Sequence, residues 1–155
     1  MTKGRLTGVG VGPGDPELVT VRAARLIAEA DVVAYHCAPH GNSIARAAAA
    51  PYLRPGQAEE VLRYPVTTGG TGHPGGYAGA LADFYDEATS RLAAHLEQGR
   101  DVVVLCEGDP GFYGSYSICT SACAGGSARR SCPVYPRFRP LPRPWASRWS
   151  STMSR

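Results

Sequence analysis

Over the first 116 positions, apolar residues alternate between short continuous runs and stripes at helical spacing. Arg5 to Gly10 (RLTGVG) is a brief run ending in glycines and predicts a buried strand that meets a tight loop. Asp15-Pro16-Glu17 then supplies an N-cap, a proline at the first helical position and an acid in the first turn, with Leu18, Val21 and Arg25 or Leu26 following at helical spacing. That pattern predicts a helix from Pro16 to Ala30. Asp31 to Tyr35 (DVVAY) predicts a second strand, Ser43 to Ala50 a small Ala-rich helix stopped before Pro51, and Val61 to Val66 a third strand. Thr67 to Gly76 (TTGGTGHPGG) is loop by its glycine density. From Gly76 apolar positions return every three or four residues through Leu81, Phe84, Ala88, Leu92 and Leu96, until Gly99 closes a long helix. Asp101 to Leu105 (DVVVL) reads as a buried strand that runs into Cys106-Glu-Gly-Asp-Pro110.

Strands alternating with helices predict an α/β layer built on a largely parallel sheet. Ligands of such sheets bind beyond the carboxyl ends of the strands. Two glycine-rich loops stand at such ends, Gly8 to Asp15 and Glu107 to Gly114. After Tyr116 the pattern stops: Ser117 to Arg155 shows no sustained period and holds five prolines and both tryptophans.

Charge divides at the same place. The formal net charge of the 155 residues is +3, yet residues 1 to 116 carry nine basic and thirteen acidic groups, a net of −4, whereas residues 117 to 155 carry seven arginines and no acid. A length of 155 residues suits one domain, or one plus a fragment. No apolar run approaches the roughly 20 residues of a membrane helix, and Met1 to Arg5 leads into a strand without a signal-peptide core. With only Cys37 and Cys106 in the front part, the expectation is a reduced, cytoplasmic chain with no membrane partner. The basic tail admits two readings: a disordered arm for nucleic acid or membranes, or a segment never selected as protein.

The loop Gly8-Val-Gly-Val-Gly-Pro-Gly-Asp15 invites a dinucleotide reading, because glycines let a backbone approach a pyrophosphate at a helix start. The spacing disagrees. From Gly8 the third glycine of GxGxxG would fall on Pro13, from Gly10 on Asp15, and no Gly-Lys-Ser/Thr follows for a P-loop. A tight strand-to-helix turn without a ligand is the plain alternative.

The whole constellation is more specific than the loop. GVGVGPGDPELVTVRAARLIAEADVVAY and the later VVVLCEGDPGFYGSY resemble the tetrapyrrole methylases, S-adenosylmethionine-dependent enzymes of corrin and siroheme synthesis. Tyr64-Pro-Val-Thr67, His73-Pro-Gly-Gly-Tyr77 and Ala82-Asp-Phe-Tyr-Asp-Glu87 resemble the branch that methylates C20 of precorrin-2, giving precorrin-3A in cobalamin biosynthesis. The resemblance covers residues 4 to 116. It implies the amino-terminal domain of a two-domain α/β fold followed here by an incomplete second domain, with the methyl donor held in the cleft between them. It also implies that Pro13, Glu107, Gly108 and Asp109 line the S-adenosylmethionine site with Phe112 and Tyr113 close by, that the substrate is precorrin-2 or a related tetrapyrrole, and that the full-length enzyme is a homodimer. Asp109, preceding a proline, also suits a plain turn.

Transfer of a sulfonium methyl to a ring carbon needs the reactants held in line with water excluded, so the lack of a catalytic triad is no objection. His73 is the residue to test for substrate contact, with an exposed turn histidine as the bland reading. Arg63 and Tyr64 could meet acidic side chains of the macrocycle, although a lone arginine is more often solvated. His36, Cys37 and His40 make a weak zinc spacing, and Cys37 reads better as packed at a strand end, so no metal is expected.

The tail has a further reading. If each codon is rebuilt from the last base of one triplet and the first two of the next, Ser117 to Cys123 can read Tyr-Leu-His-Glu-Arg-Leu. Arg129 to Arg139 can likewise read Glu-Val-Val-Pro-Gly-Val-Pro-Ser-Val-Ser. The expectation is a methylase domain over 1–116 and a frameshifted tail without stable structure over 117–155, in a fragment with little or no activity. The rivals are another tetrapyrrole methylase, acting on a different corrin carbon or on uroporphyrinogen, and a small nucleic-acid-binding module using the tail.

Overall fold

The computed structural model describes residues 3–66, 70–111, 115–116 and 129–132. Five strands form one sheet: β1 (Leu6–Gly10), β2 (Val32–Cys37), β3 (Ala58–Arg63), β4 (Val102–Cys106) and β5 (Arg129–Cys132). Their spatial order is β3-β2-β4-β1-β5, and every pairing is parallel. β4 sits at the centre, with Leu6 opposite Val102 on one side and Val32 opposite Val102 on the other. All five residues of β4 are buried, which is why it reads as an unbroken apolar run.

Alternate residues of the strands serve two cores. Leu6, Val32, Ala34, Val102 and Val104 pack under the long helix α3 (Gly76–Glu97), which contributes Phe84, Ala88, Leu92 and Leu96. Val9, Val33, Val103 and Leu105 face α1 (Val21–Glu29) and α2 (Ile44–Ala49), through Ala23, Ile27, Ala45 and Ala48. The connection from β1 therefore crosses one face and the one from β3 crosses the other. This is the parallel α/β sheet expected from the alternation of patterns.

Three local expectations need correction. The helix predicted from Pro16 to Ala30 is two elements, a 3₁₀ turn over Pro16–Leu18 and then α1. Thr20 caps α1, its hydroxyl accepting from the Ala23 amide at 3.2 Å, while Asp15 caps only the 3₁₀ turn through the Glu17 amide at 2.9 Å. The break rotates the apolar stripe: Val19, Ala23 and Ile27 are buried, whereas Leu18 and Val21 are 54% and 89% exposed.

β3 begins at Ala58, not at Val61. Glu59 and Glu60 hid this start, because charged residues break an apolar pattern; at the sheet edge they are paired instead. Glu59 takes Arg46 of α2 at 2.9 Å, and Glu60 takes Arg91 and His95 of α3, the latter at 2.9 Å. Pro65, which has no amide to donate, follows the strand's end.

β5 falls inside the segment expected to lack stable structure. Leu6 pairs with Arg129 and Val9 with Cys132. The outer edge of β1 offers unpaired backbone groups, and backbone pairing needs no apolar side chains. The correction concerns these four residues; the rest of 117–155 lies outside the described residues. Among those described, no helix is long and apolar enough to cross a membrane.

Candidate functional site

β1 and β4 are neighbours in space but lie some ninety positions apart in the chain, and their exits leave toward opposite faces of the sheet. That reversal opens a crevice beyond their carboxyl ends. The two glycine loops meet there. The Val11 amide donates to the Cys106 carbonyl at 3.0 Å, and the Gly108 amide to the Gly12 carbonyl at 3.1 Å. Gly12 and Gly108 form an antiparallel bridge, with φ of 78° and 67°, values that disfavour any side chain.

The residues expected at the donor site are partly united here. Pro13 is exposed in the turn beside Gly12, Glu107 is exposed, and Gly108 and Asp109 are half-buried. One Asp109 oxygen accepts from the Gly111 amide at 2.7 Å, the turn role that competes with binding. Phe112 and Tyr113 lie outside the described residues. Ile44 stands so close to Gly14 that a Cβ there would lie 2.9 Å from it, and both Ile44 and Leu18 leave apolar surface exposed beside the loop.

The residues expected to meet substrate are split between two cavities. One, of about 390 Å³, is lined by His36, Ser43, Tyr64, Cys106, Glu107 and Ser115, and so includes part of the crevice. The other, of about 500 Å³, holds Arg63, His73, Asp83, Phe84 and Glu87. Arg63 spends donors on the carbonyls of Ala38 and Pro39, at 2.9 and 3.1 Å, and so ties down the loop after β2. His73 has both ring nitrogens engaged at the start of α3. Its Nδ1 accepts from the Gly75 amide at 2.9 Å, so Nε2 carries the proton and donates to Asp83, also at 2.9 Å. The geometry accords with the turn-forming reading of this histidine.

His36 is the residue that sequence reasoning underrated. It lies at the penultimate position of β2, stacked on Tyr64 with ring centroids 5.4 Å apart and edge-on to Phe84 at 6.2 Å. Burial pushes its imidazole down to about 4, and its Nε2 is buried without a hydrogen-bond partner. A signal existed: His36 continues the Val32, Ala34 series that faces α3, so a polar group was due at a core-facing position near the strand's end. Cys37, on the opposite face, is 6% exposed and packed at the end of the strand, as expected.

Residues 5–136 match the family described as Tetrapyrrole (Corrin/Porphyrin) Methylases. The chain is 72% identical over 114 residues to the cobalamin biosynthesis protein CobIJ of Mycobacterium tuberculosis, covering 74% of this chain and 22% of that protein. It is 49% identical over 113 residues to the precorrin-2 C(20)-methyltransferase of a Sinorhizobium species, covering 73% of this chain and 46% of the relative. The fold is similar to uroporphyrin-III C-methyltransferase from Thermus thermophilus complexed with S-adenosyl homocysteine, with a TM-score of 0.56, 25% identity, and coverage of 84% of this chain and 44% of that one. The chain thus spans less than half the length of these relatives.

Proposed function

We propose a function from one premise: the chain belongs to the tetrapyrrole (corrin/porphyrin) methylases. On that premise the crevice beyond β1 and β4 is the sheet-side wall of an S-adenosylmethionine site. The enzyme to which these residues contribute their amino-terminal part methylates a tetrapyrrole in cobalamin biosynthesis. The observation that carries this reading is the Gly12–Gly108 bridge, which joins two backbone-rich loops at the point where the sheet's connections diverge.

The residues present fit such a donor. Backbone groups of the Gly12–Pro13–Gly14 turn and of Glu107–Gly108 would hold its amino-acid part, and the carboxylates of Glu107 and Asp109 answer a positive charge. Leu18 and Ile44 offer apolar surface beside them. When bound, the donor supplies a sulfonium methyl for a nucleophilic ring carbon. The chain's own contribution is orientation and exclusion of water.

The finer assignment is methylation at C20 of precorrin-2. The identity to the precorrin-2 C(20)-methyltransferase supports it, as does that to a cobalamin biosynthesis protein. For the tail, the shifted reading Glu-Val-Val-Pro-Gly over Arg129 to Arg139 supports a frameshift after the Tyr116 codon. On that reading the residues after Tyr116 do not spell the methylase continuation, and the 155-residue chain turns over little or no substrate.

Calorimetric titration with S-adenosyl homocysteine, with amide shifts followed at Gly12 and Gly108, tests the donor site; shifts confined to other regions would overturn it. The nucleotide sequence tests the frame: a second reading frame that spells no methylase domain ends that idea. Incubating the frame-restored enzyme with precorrin-2 tests the carbon, and a product methylated elsewhere refutes C20.

A further inference from the structure

We propose that Tyr64 and Tyr85 are positioning residues that act through Ser115, whose hydroxyl they hold so as to fix the carboxyl end of the loop following β4. This rests on the reading of that loop as part of the donor site. Ser115 meets the Tyr64 hydroxyl in a short hydrogen bond and the Tyr85 hydroxyl at 3.0 Å. The two phenols come from different elements, one just past the end of β3 and one inside α3.

A serine hydroxyl has one proton, so it can donate to only one of two partners. In every proton arrangement at least one tyrosine therefore donates to Ser115. The rings are themselves fixed. Tyr64 stacks on His36 and lies 4.8 Å from Phe84, and Phe84 lies 5.1 Å from Tyr85, so each hydroxyl is presented from a packed aromatic cluster.

The amino end of the loop is held separately, by the Gly108 amide on the Gly12 carbonyl. The next residue after Ser115 is anchored too: the Tyr116 ring lies against Gly8 so closely that a Cβ there would sit 2.7 Å from it. Ser115 and Glu107 line the same cavity. With Gly108 and Ser115 both anchored, the polar groups beside them in the cavity are already ordered, so a ligand does not bear the entropy of ordering them.

The test is amide-resolved hydrogen exchange on the full 155-residue chain. S115A should raise exchange at Gly111 and Tyr116 by about tenfold, with Gly108, Val33 and Val103 unchanged. Y64F and Y85F should each give about a threefold rise, the double variant should match S115A, and S115T should restore the wild-type rates. The double variant removes only two oxygens and carries the test if S115A does not fold. Unchanged exchange near the loop, or an equal rise throughout β2 and β4, would overturn the proposal. In a parallel titration, S115A should weaken S-adenosyl homocysteine binding about fivefold and S115T should recover it. If the wild-type chain binds none, the donor-site reading fails, while the exchange rates still decide the role of Ser115.

Discussion

The Gly108 amide donates to the Gly12 carbonyl across 3.1 Å, joining two loops that are 96 positions apart in the chain. Both residues have positive φ, so this contact is built from backbone that only glycine adopts without strain. G12A and G108A should each lower stability by about 1 to 2 kcal/mol. The check is a urea titration in which the midpoint falls while the slope stays constant. A Cβ at Gly108 meets nothing within 4 Å, so its cost there is conformational and not a clash.

Gly8 is different, because its constraint is space. Any side chain at Gly8 runs into the Tyr116 ring at 2.7 to 2.8 Å. G8A should cost roughly 1 to 3 kcal/mol by overpacking. In a double-mutant cycle, G8A in a Y116A background should cost markedly less, and strict additivity would refute the contact.

His36 makes stability depend on acid. Its ring is held at about 4 by burial, below the 6.5 of an unfolded histidine, so the unfolded chain binds more protons between those values. Its contribution is complete above pH 6.5 and is lost as the pH falls toward 4, with a total on the order of 3 kcal/mol. H36F should flatten this part of the stability profile. An imidazole titrating near 6.5 in the folded chain, followed by nuclear magnetic resonance, would contradict the burial.

Thr20, not Asp15, starts the main helix of the first crossover. T20A removes the hydroxyl that accepts from Ala23 and should cost about 1 kcal/mol. D15A frees only the amide of a three-residue turn and should cost less. The two thermal midpoints settle the order.

Much of this was legible because it is local. A run such as Val102 to Cys106 must be buried on both sides, and the stripe from Phe84 to Leu96 must lie on a core. The edge strand was misplaced because Glu59 and Glu60 satisfy their charges with Arg46, Arg91 and His95, partners no local window contains. The apolar face of the first helix was misread for a related reason. A continuous helical period hides the break at Val19 and Thr20, and Leu18 and Val21, which fall at helical spacing, are exposed.

By itself the sequence determined the alternation of strands and helices, the two glycine loops and the family motifs they carry, since each depends on neighbours a few residues away. Tertiary structure decided that β4 inserts between β2 and β1. That order brings Gly12 to Gly108, sets His36 beside Tyr64 in the same cavity, and turns His73 and Arg63 to holding loops. Strand order is chosen by which faces can be buried together over the whole sheet, and no stretch of the chain contains that information alone.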